Sequence, residues 1–255
     1  MPAPTLSAVL IVQDEEHYLP DCLASLAGVA QEVVVLDGGS TDATVAIAGR
    51  AGARVHHRPF DNFGAQKQAA LELATGEWVL SIDADERLTP ALAREIARVI
   101  ADPAAHDGYT IRRRMAYLGT PLKHGGAEND WVLRLVRRSR ARFTPVAVHE
   151  RLVVEGSEGR LREVMDHLKY RTLAEHVATI DHYTSLAAAD MRARGRRFSP
   201  FHLLRIPAEI WARLILRGGI LDGRAGIIHA AMAGFYAFLK FAKLYGGAAG
   251  DGGRR

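Results

Sequence analysis

Four times between Leu6 and Ile100 a short apolar run gives way to a stretch with helical spacing. Leu6 to Val12 leads into Glu16 to Ala27, where Leu19, Cys22, Leu23 and Leu26 fall on one helical face. Val33 to Leu36 leads into a helix through Val45, Ala46 and Ile47, and Arg54 to His57 leads into Asn62 to Thr75. Trp78 to Ile82 then leads into Thr89 to Ile100. The unbroken apolar run at Val33 to Leu36 is the pattern of a parallel strand buried on both faces. Such alternation predicts an α/β fold, a sheet with covering helices, whose ligands bind beyond the carboxyl ends of the strands.

Acids stand at those ends. Asp14 and Glu15 follow the first run, Asp37 the second, and Asp83-Ala84-Asp85 the fourth. One Asp-x-Asp reads most simply as an acidic turn before a helix cap. Three acidic clusters at corresponding strand ends read instead as one shared site, with Asp83 and Asp85 placed to face a divalent cation. In Asp37-Gly38-Gly39-Ser40-Thr41-Asp42 the glycines permit close approach of a ligand to the backbone, and Ser40 or Thr41 is predicted to cap the next helix.

Beyond Ile100 the pattern changes to strand-like segments at Tyr109 to Tyr117, Trp131 to Val136 and His149 to Glu155, so the sheet is expected to become mixed. Between them runs a polar, glycine-containing loop, Lys123 to Asp130, suited to holding a second substrate. From Asp166 the chain reads as helical to its end. This gives an expected catalytic domain over 1–165 and a helical region over 166–255. Ala225 to Leu239 is a fifteen-residue uncharged run, shorter than the roughly 20 residues of a membrane span. It is expected to lie on a membrane or to pack on the domain, with Trp211, Phe235, Tyr236 and Phe238 toward acyl chains in the first case.

A single cysteine, Cys22, excludes an internal disulfide framework and a cysteine zinc cluster, which fits a reducing compartment. The net charge of +4 arises mainly from basic clusters in the second half, at Arg112 to Arg114, Arg137 to Arg142 and Arg192 to Arg197. They suggest an anionic partner, but nothing in the chain resembles a nucleic-acid recognition motif.

Taken together, VVVLDGGSTD (33–42), RPFDNFGAQK (58–67), TGEWVLSIDADE (75–86), His149-Glu150 and GFYAFLKFAKLY (234–245) resemble glycosyltransferase family 2, the inverting sugar-nucleotide enzymes of GT-A fold. Within it they are most similar to the bacterial lipopolysaccharide-core glucosyltransferase branch. The resemblance implies a hexosyltransferase that moves glucose from UDP-glucose to a lipid-linked saccharide. It implies nucleotide-sugar contacts from Asp14, Glu15, Asp37, Gly39, Lys67 and Asp83, and Mg or Mn held by Asp83, Asp85 and His149. Asp130 would be the general base, with Glu128 its nearest rival. The enzyme would sit peripherally on the cytoplasmic face of the inner membrane, with oligomerisation left open. Two alternatives remain: a transferase acting on polyprenyl phosphate, which needs no strong base, and a non-enzymatic basic scaffold.

Overall fold

A computed structural model describes residues 4–126, 130–144 and 151–251, and the chain divides into two compact units. The first comprises residues 1–113 and 130–167, the second 114–129 and 168–255. The division falls at 167/168, and residues 114–129, which include most of the Lys123 loop, go with the helical unit.

In chain order the first unit carries β1 (Leu6–Val12), α1 (Leu19–Leu26), β2 (Glu32–Asp37), α2 (Thr44–Arg50), β3 (Arg54–His57), α3 (Phe63–Leu73), β4 (Trp78–Ser81), β5 (Glu86–Leu88) and α4 (Pro90–Ile100). It continues with β6 (Gly108–Tyr117), whose end belongs to the second unit together with β7 (Thr120–Pro121). There follow β8 (Trp131–Arg137), β9 (Ala141–Phe143), β10 (Leu152–Val154) and β11 (Glu158–Lys169). The main sheet runs β3-β2-β1-β4-β8-β6-β11-β5. Its first four strands are parallel, whereas β8 is antiparallel to both β4 and β6, and β11 to β5. This is the expected α/β fold with a mixed sheet.

Period-two alternation explains why both faces need covering. Ala8, Leu10, Trp78 and Leu80 enter one core with Leu23 and Leu26 of α1 and Leu92 and Ile96 of α4. Val9 and Val79, the intervening residues, enter the other with Ala70 and Leu71 of α3. Trp78 is fully buried. Side-chain caps set two helix starts: Asn62 Oδ1 accepts from the Ala65 amide at 2.9 Å, and Thr89 Oγ1 from the Leu92 amide at 3.1 Å.

Two local expectations are corrected. Helix was expected from Asp166, but residues 166–169 complete β11, which buries Leu161, Met165 and His167 and hides that alternation among charged neighbours. Neither Ser40 nor Thr41 caps α2, because their hydroxyls are taken by Asp37 and Asp14; the Thr44 amide donates to Asp42 Oδ1 at 2.9 Å instead.

The second unit adds α5 (Leu173–Ala193), α6 (Arg205–Trp211) and α7 (Gly223–Asp251). Lys243 of α7 ties to α5 through Asp181 Oδ1 at 2.7 Å and Ser185 Oγ at 2.7 Å, above a small core of Ala188, Phe241 and Leu244. Gly234 lets α6 approach: a Cβ there would stand 2.6 Å from the Ile210 side chain. Helix α7 extends well past the uncharged run, so Gly219–Gly246, 28 residues, is long and apolar enough to cross a membrane by length and composition. Only 28% of its apolar window is buried within the protein.

Candidate active site

The turns after β1 and β2 are laced together by hydrogen bonds. Asp14, at φ 55°, accepts from the Thr41 amide at 2.7 Å, while its own amide donates to Ser40 Oγ at 3.0 Å. The Glu15 amide donates to Thr44 Oγ1 at 2.7 Å. Asp37 is buried and accepts from the Gly39 amide at 3.0 Å and from Ser40 Oγ at 2.5 Å, and its Oδ2 lies 3.1 Å from His57 Nδ1. Burial alone would raise that carboxyl, but these hydrogen bonds outweigh it and hold Asp37 below its ordinary range. Asp37 therefore shapes the loop, with Gly39 at φ +113° supplying a conformation that side-chain-bearing residues avoid. Beside these turns lies a pocket of about 290 Å³ lined by Ile11, Glu15, Leu36, Gly38, Phe60 and Phe63. The two phenylalanines are exposed and meet edge to face, ring centroids 5.0 Å apart.

At the end of β4 the two aspartates part company. Lys67 Nζ of α3 stands 3.4 Å from Asp83 Oδ1, and the Arg134 guanidinium of β8 grips Asp83 Oδ2. Burial would raise the Asp83 carboxyl, but Arg134 and then Lys67 hold it well below the usual carboxylate range. Asp85 instead faces His167 of β11, with Nε2 3.1 Å from Oδ2.

Glu86 lies beneath both, with no exposed surface. Its Oε1 accepts from Arg134 Nη2 at 2.5 Å and Arg113 Nη1 at 3.0 Å, and its Oε2 from the Asp83 amide at 3.0 Å. Arg113 also grips Asp130 two-handedly, Nε to Oδ2 at 2.9 Å and Nη2 to Oδ1 at 3.0 Å. A continuous chain of opposite charges thus runs from Asp83 through Arg134, Glu86 and Arg113 to Asp130.

Glu15 shows that the ends of β1 and β4 share one electrostatic site. Its carboxyl is pushed up to about 7 by burial first, then by the negative charges of Asp85, Asp83, Asp42 and Asp14. The folded value exceeds the ordinary 4.5, so this group contributes stability fully present below pH 4.5 and lost as pH rises through about 7. Urea unfolding of the metal-free protein between pH 4.5 and 8 should show that decline, and Glu15→Gln should flatten it. An equally steep decline in the variant would assign the effect elsewhere.

The structure thus brings together Glu15, Lys67, Asp83, Asp85 and, through the arginine chain, Asp130. Asp14, Asp37 and Gly39 build the neighbouring turns. His149 and Glu128 lie outside the described residues. Among the described residues no group of three or more His, Cys, Asp or Glu side chains is arranged to hold a metal ion. Sequence reasoning missed Glu86, Arg113, Arg134 and His167. One signal was present: Arg134 interrupts the apolar strand Trp-Val-Leu-Arg-Leu-Val, and a lone charge at a buried strand position demands a partner.

A site of acids and one lysine beyond parallel strand ends defines a class, and comparison with known proteins identifies it. Residues 7–168 match the family model described as glycosyl transferase family 2, and the chain belongs to that family; it is a glycosyltransferase of GT-A fold. The lipopolysaccharide core biosynthesis glycosyltransferase LpsC of Rhizobium meliloti is 34% identical over 253 residues, 96% of this chain and 93% of that protein. An uncharacterized glycosyltransferase of Rickettsia typhi is 28% identical over 94% of this chain and 86% of its own length. Glucosyl-3-phosphoglycerate synthase of Mycobacterium tuberculosis, solved with Mn2+ and UDP-glucose, is 26% identical over 45% of this chain and 44% of that chain, with a TM-score of 0.36.

Proposed function

We propose that this glycosyltransferase moves a hexose, glucose from UDP-glucose, with inversion onto a lipid-linked saccharide such as the lipopolysaccharide inner core. The observation that carries the donor half is the convergence of Glu15, Asp83 and Asp85 in one field beside Lys67, next to a pocket sized for a nucleoside. The relationship to LpsC supports the acceptor class.

The donor set suits a hard divalent cation, Mg or Mn. Asp85 and Glu15 offer carboxylate oxygens among neighbouring acids, and the buried His167 Nδ1 has no hydrogen-bond partner among the described residues. Asp85 with Asp83 would hold the ion, His167 lying beside Asp85; bound there, it would neutralise charge developing on the departing diphosphate. Lys67 adds a fixed positive charge to the same end.

Asp130 takes the proton from the acceptor hydroxyl as its oxygen bonds to the anomeric carbon. The bond from that carbon to the diphosphate oxygen breaks, and its electron pair leaves with UDP. A carboxylate offers about four lone-pair sites, so the grip of Arg113 orients Asp130 and still leaves room for that proton.

The exposed Phe201, Leu204, Trp211, Leu216 and Leu221, with exposed Arg205 and Arg217 among them, support peripheral contact with an anionic membrane surface, which we place on the cytoplasmic side as part of the proposal.

Incubation of the enzyme with a panel of nucleotide sugars and extracted lipid-linked saccharides, followed by NMR of the product linkage, tests the reading. UDP-glucose should be the preferred donor and the new linkage should be β. An α linkage would overturn inversion. Transfer to polyprenyl phosphate alone, undiminished in Asp130→Asn, would replace the saccharide acceptor.

A further inference from the structure

The helical unit carries a half-open cavity of about 210 Å³ to which glycosyl transfer as described above assigns no role. Its wall includes Tyr170, His176, Tyr183, Arg213, His229 and Tyr236. The aromatic part is ordered: Tyr170 stacks on His176 with ring centroids 3.9 Å apart and planes 13° from parallel. The Tyr117 hydroxyl lies 2.8 Å from His176 Nδ1, and its ring meets His229 edge on at 5.2 Å.

The charge in this wall is one-sided. Burial, reinforced for His176 by His229 and Lys169 and for His229 by Arg213, pushes both imidazoles down to about 4. At neutral pH each is uncharged; Tyr117 occupies Nδ1 of His176, which leaves that ring its Nε2 for hydrogen bonding, while a neutral imidazole such as His229 carries one donor and one acceptor. Arg213 stays cationic. Its Nη1 donates to the Gly125 carbonyl at 3.3 Å, and the Glu209 carboxylate approaches its Nε only to 4.0 Å. That Nε is buried and has no hydrogen-bond partner among the described residues. Asp222, which also acts on His229, is engaged by His124 at 2.9 Å. A buried guanidinium donor left unsatisfied is costly unless something else accepts from it.

A purely apolar ligand would leave the donors unsatisfied, and a cation would meet Arg213. A single ring bearing hydroxyls and a negative substituent meets every feature: aromatic faces for its C–H surface, imidazoles for its hydroxyls and Arg213 for its charge. The volume is below the roughly 300–1,000 Å³ of pockets for drug-sized ligands, which favours one ring over an oligosaccharide.

We propose that this cavity is a binding subsite for a phosphorylated sugar unit, with the phosphate on Arg213 and the ring against the tyrosine and histidine faces. It rests on the saccharide acceptor proposed above only for the sugar's origin.

Calorimetric titration of the full chain, without donor, tests this with glucose 6-phosphate, glucose, inorganic phosphate and soluble dihexanoyl phosphatidylglycerol as probes. Glucose 6-phosphate should bind about tenfold or more tighter than glucose and than inorganic phosphate, and Arg213→Gln should erase its advantage over glucose. Tyr183→Ala, at a half-exposed position that tolerates truncation, should weaken both sugars while preserving their ratio. Equal binding of the two sugars, an unchanged ratio in Arg213→Gln, or tighter binding of the phospholipid than of the sugar phosphate would overturn the assignment. Because no donor is present, such a failure leaves the transfer reaction standing, and a failure of transfer leaves the cavity's affinity standing.

Discussion

Replacing Asp85 with alanine is expected to lower turnover of UDP-glucose by about 10²–10³-fold, the scale seen when one electrostatic contact to a developing charge is removed. Asp85 projects beyond β4, its side chain about one-third exposed at 32%, and faces His167 rather than the arginine chain that fixes Asp83. Its removal therefore leaves the buried ion pairs of the sheet intact, and the melting curve should stay within a few degrees of the parent. Steady-state assays with Mn or Mg, read beside thermal unfolding, separate the two effects. Full turnover in Asp85→Ala would remove Asp85 from the donor site. A collapse in stability would show that it serves the fold.

Glu86→Ala should produce the opposite pattern, a large loss of stability. Glu86 is wholly buried between Arg113 and Arg134 and also accepts from the Asp83 amide. Truncating it leaves two guanidiniums facing each other across a cavity. Breaking a buried pair in this way costs about 3–5 kcal/mol. Against a total near 5–15 kcal/mol that is a large share. Urea denaturation should register it as a lower midpoint, and surviving folded enzyme should turn over slowly because Arg113, which orients Asp130, loses its own anchor on Glu86. A loss below about 1 kcal/mol would mean that water or a rearranged neighbour satisfies both arginines.

The contrast shows which parts of the site a sequence can reveal. The parallel strands were legible because residues buried on both faces must be apolar throughout, as in Val33 to Leu36. The acids at their ends were legible because strand ends converge on one edge of such a sheet. Their partners were not. Arg113 and Arg134 come from β6 and β8, and in sequence Arg113 looked like one member of a basic surface cluster. His167 was hidden because β11 mixes charged and buried residues, so it read as the approach to a helix. The resemblance named His149 as a metal ligand, and that residue lies outside the described residues; among the described residues His167 stands beside Asp85. Length also misled at the C-terminus, where counting the uncharged run Ala225 to Leu239 understated a helix that continues to Asp251.

The central proposition is that the turns after β1 and β4 form a cation-assisted site for a uridine diphosphate sugar. Titration of UDP into the wild-type protein by calorimetry, first with Mn and then after chelation, tests it without any assumption about the acceptor. Saturable one-to-one binding that weakens at least tenfold on chelation is the expected result, a difference of about 1.4 kcal/mol or more. Absence of UDP binding in both conditions, or affinity indifferent to the metal, would contradict it.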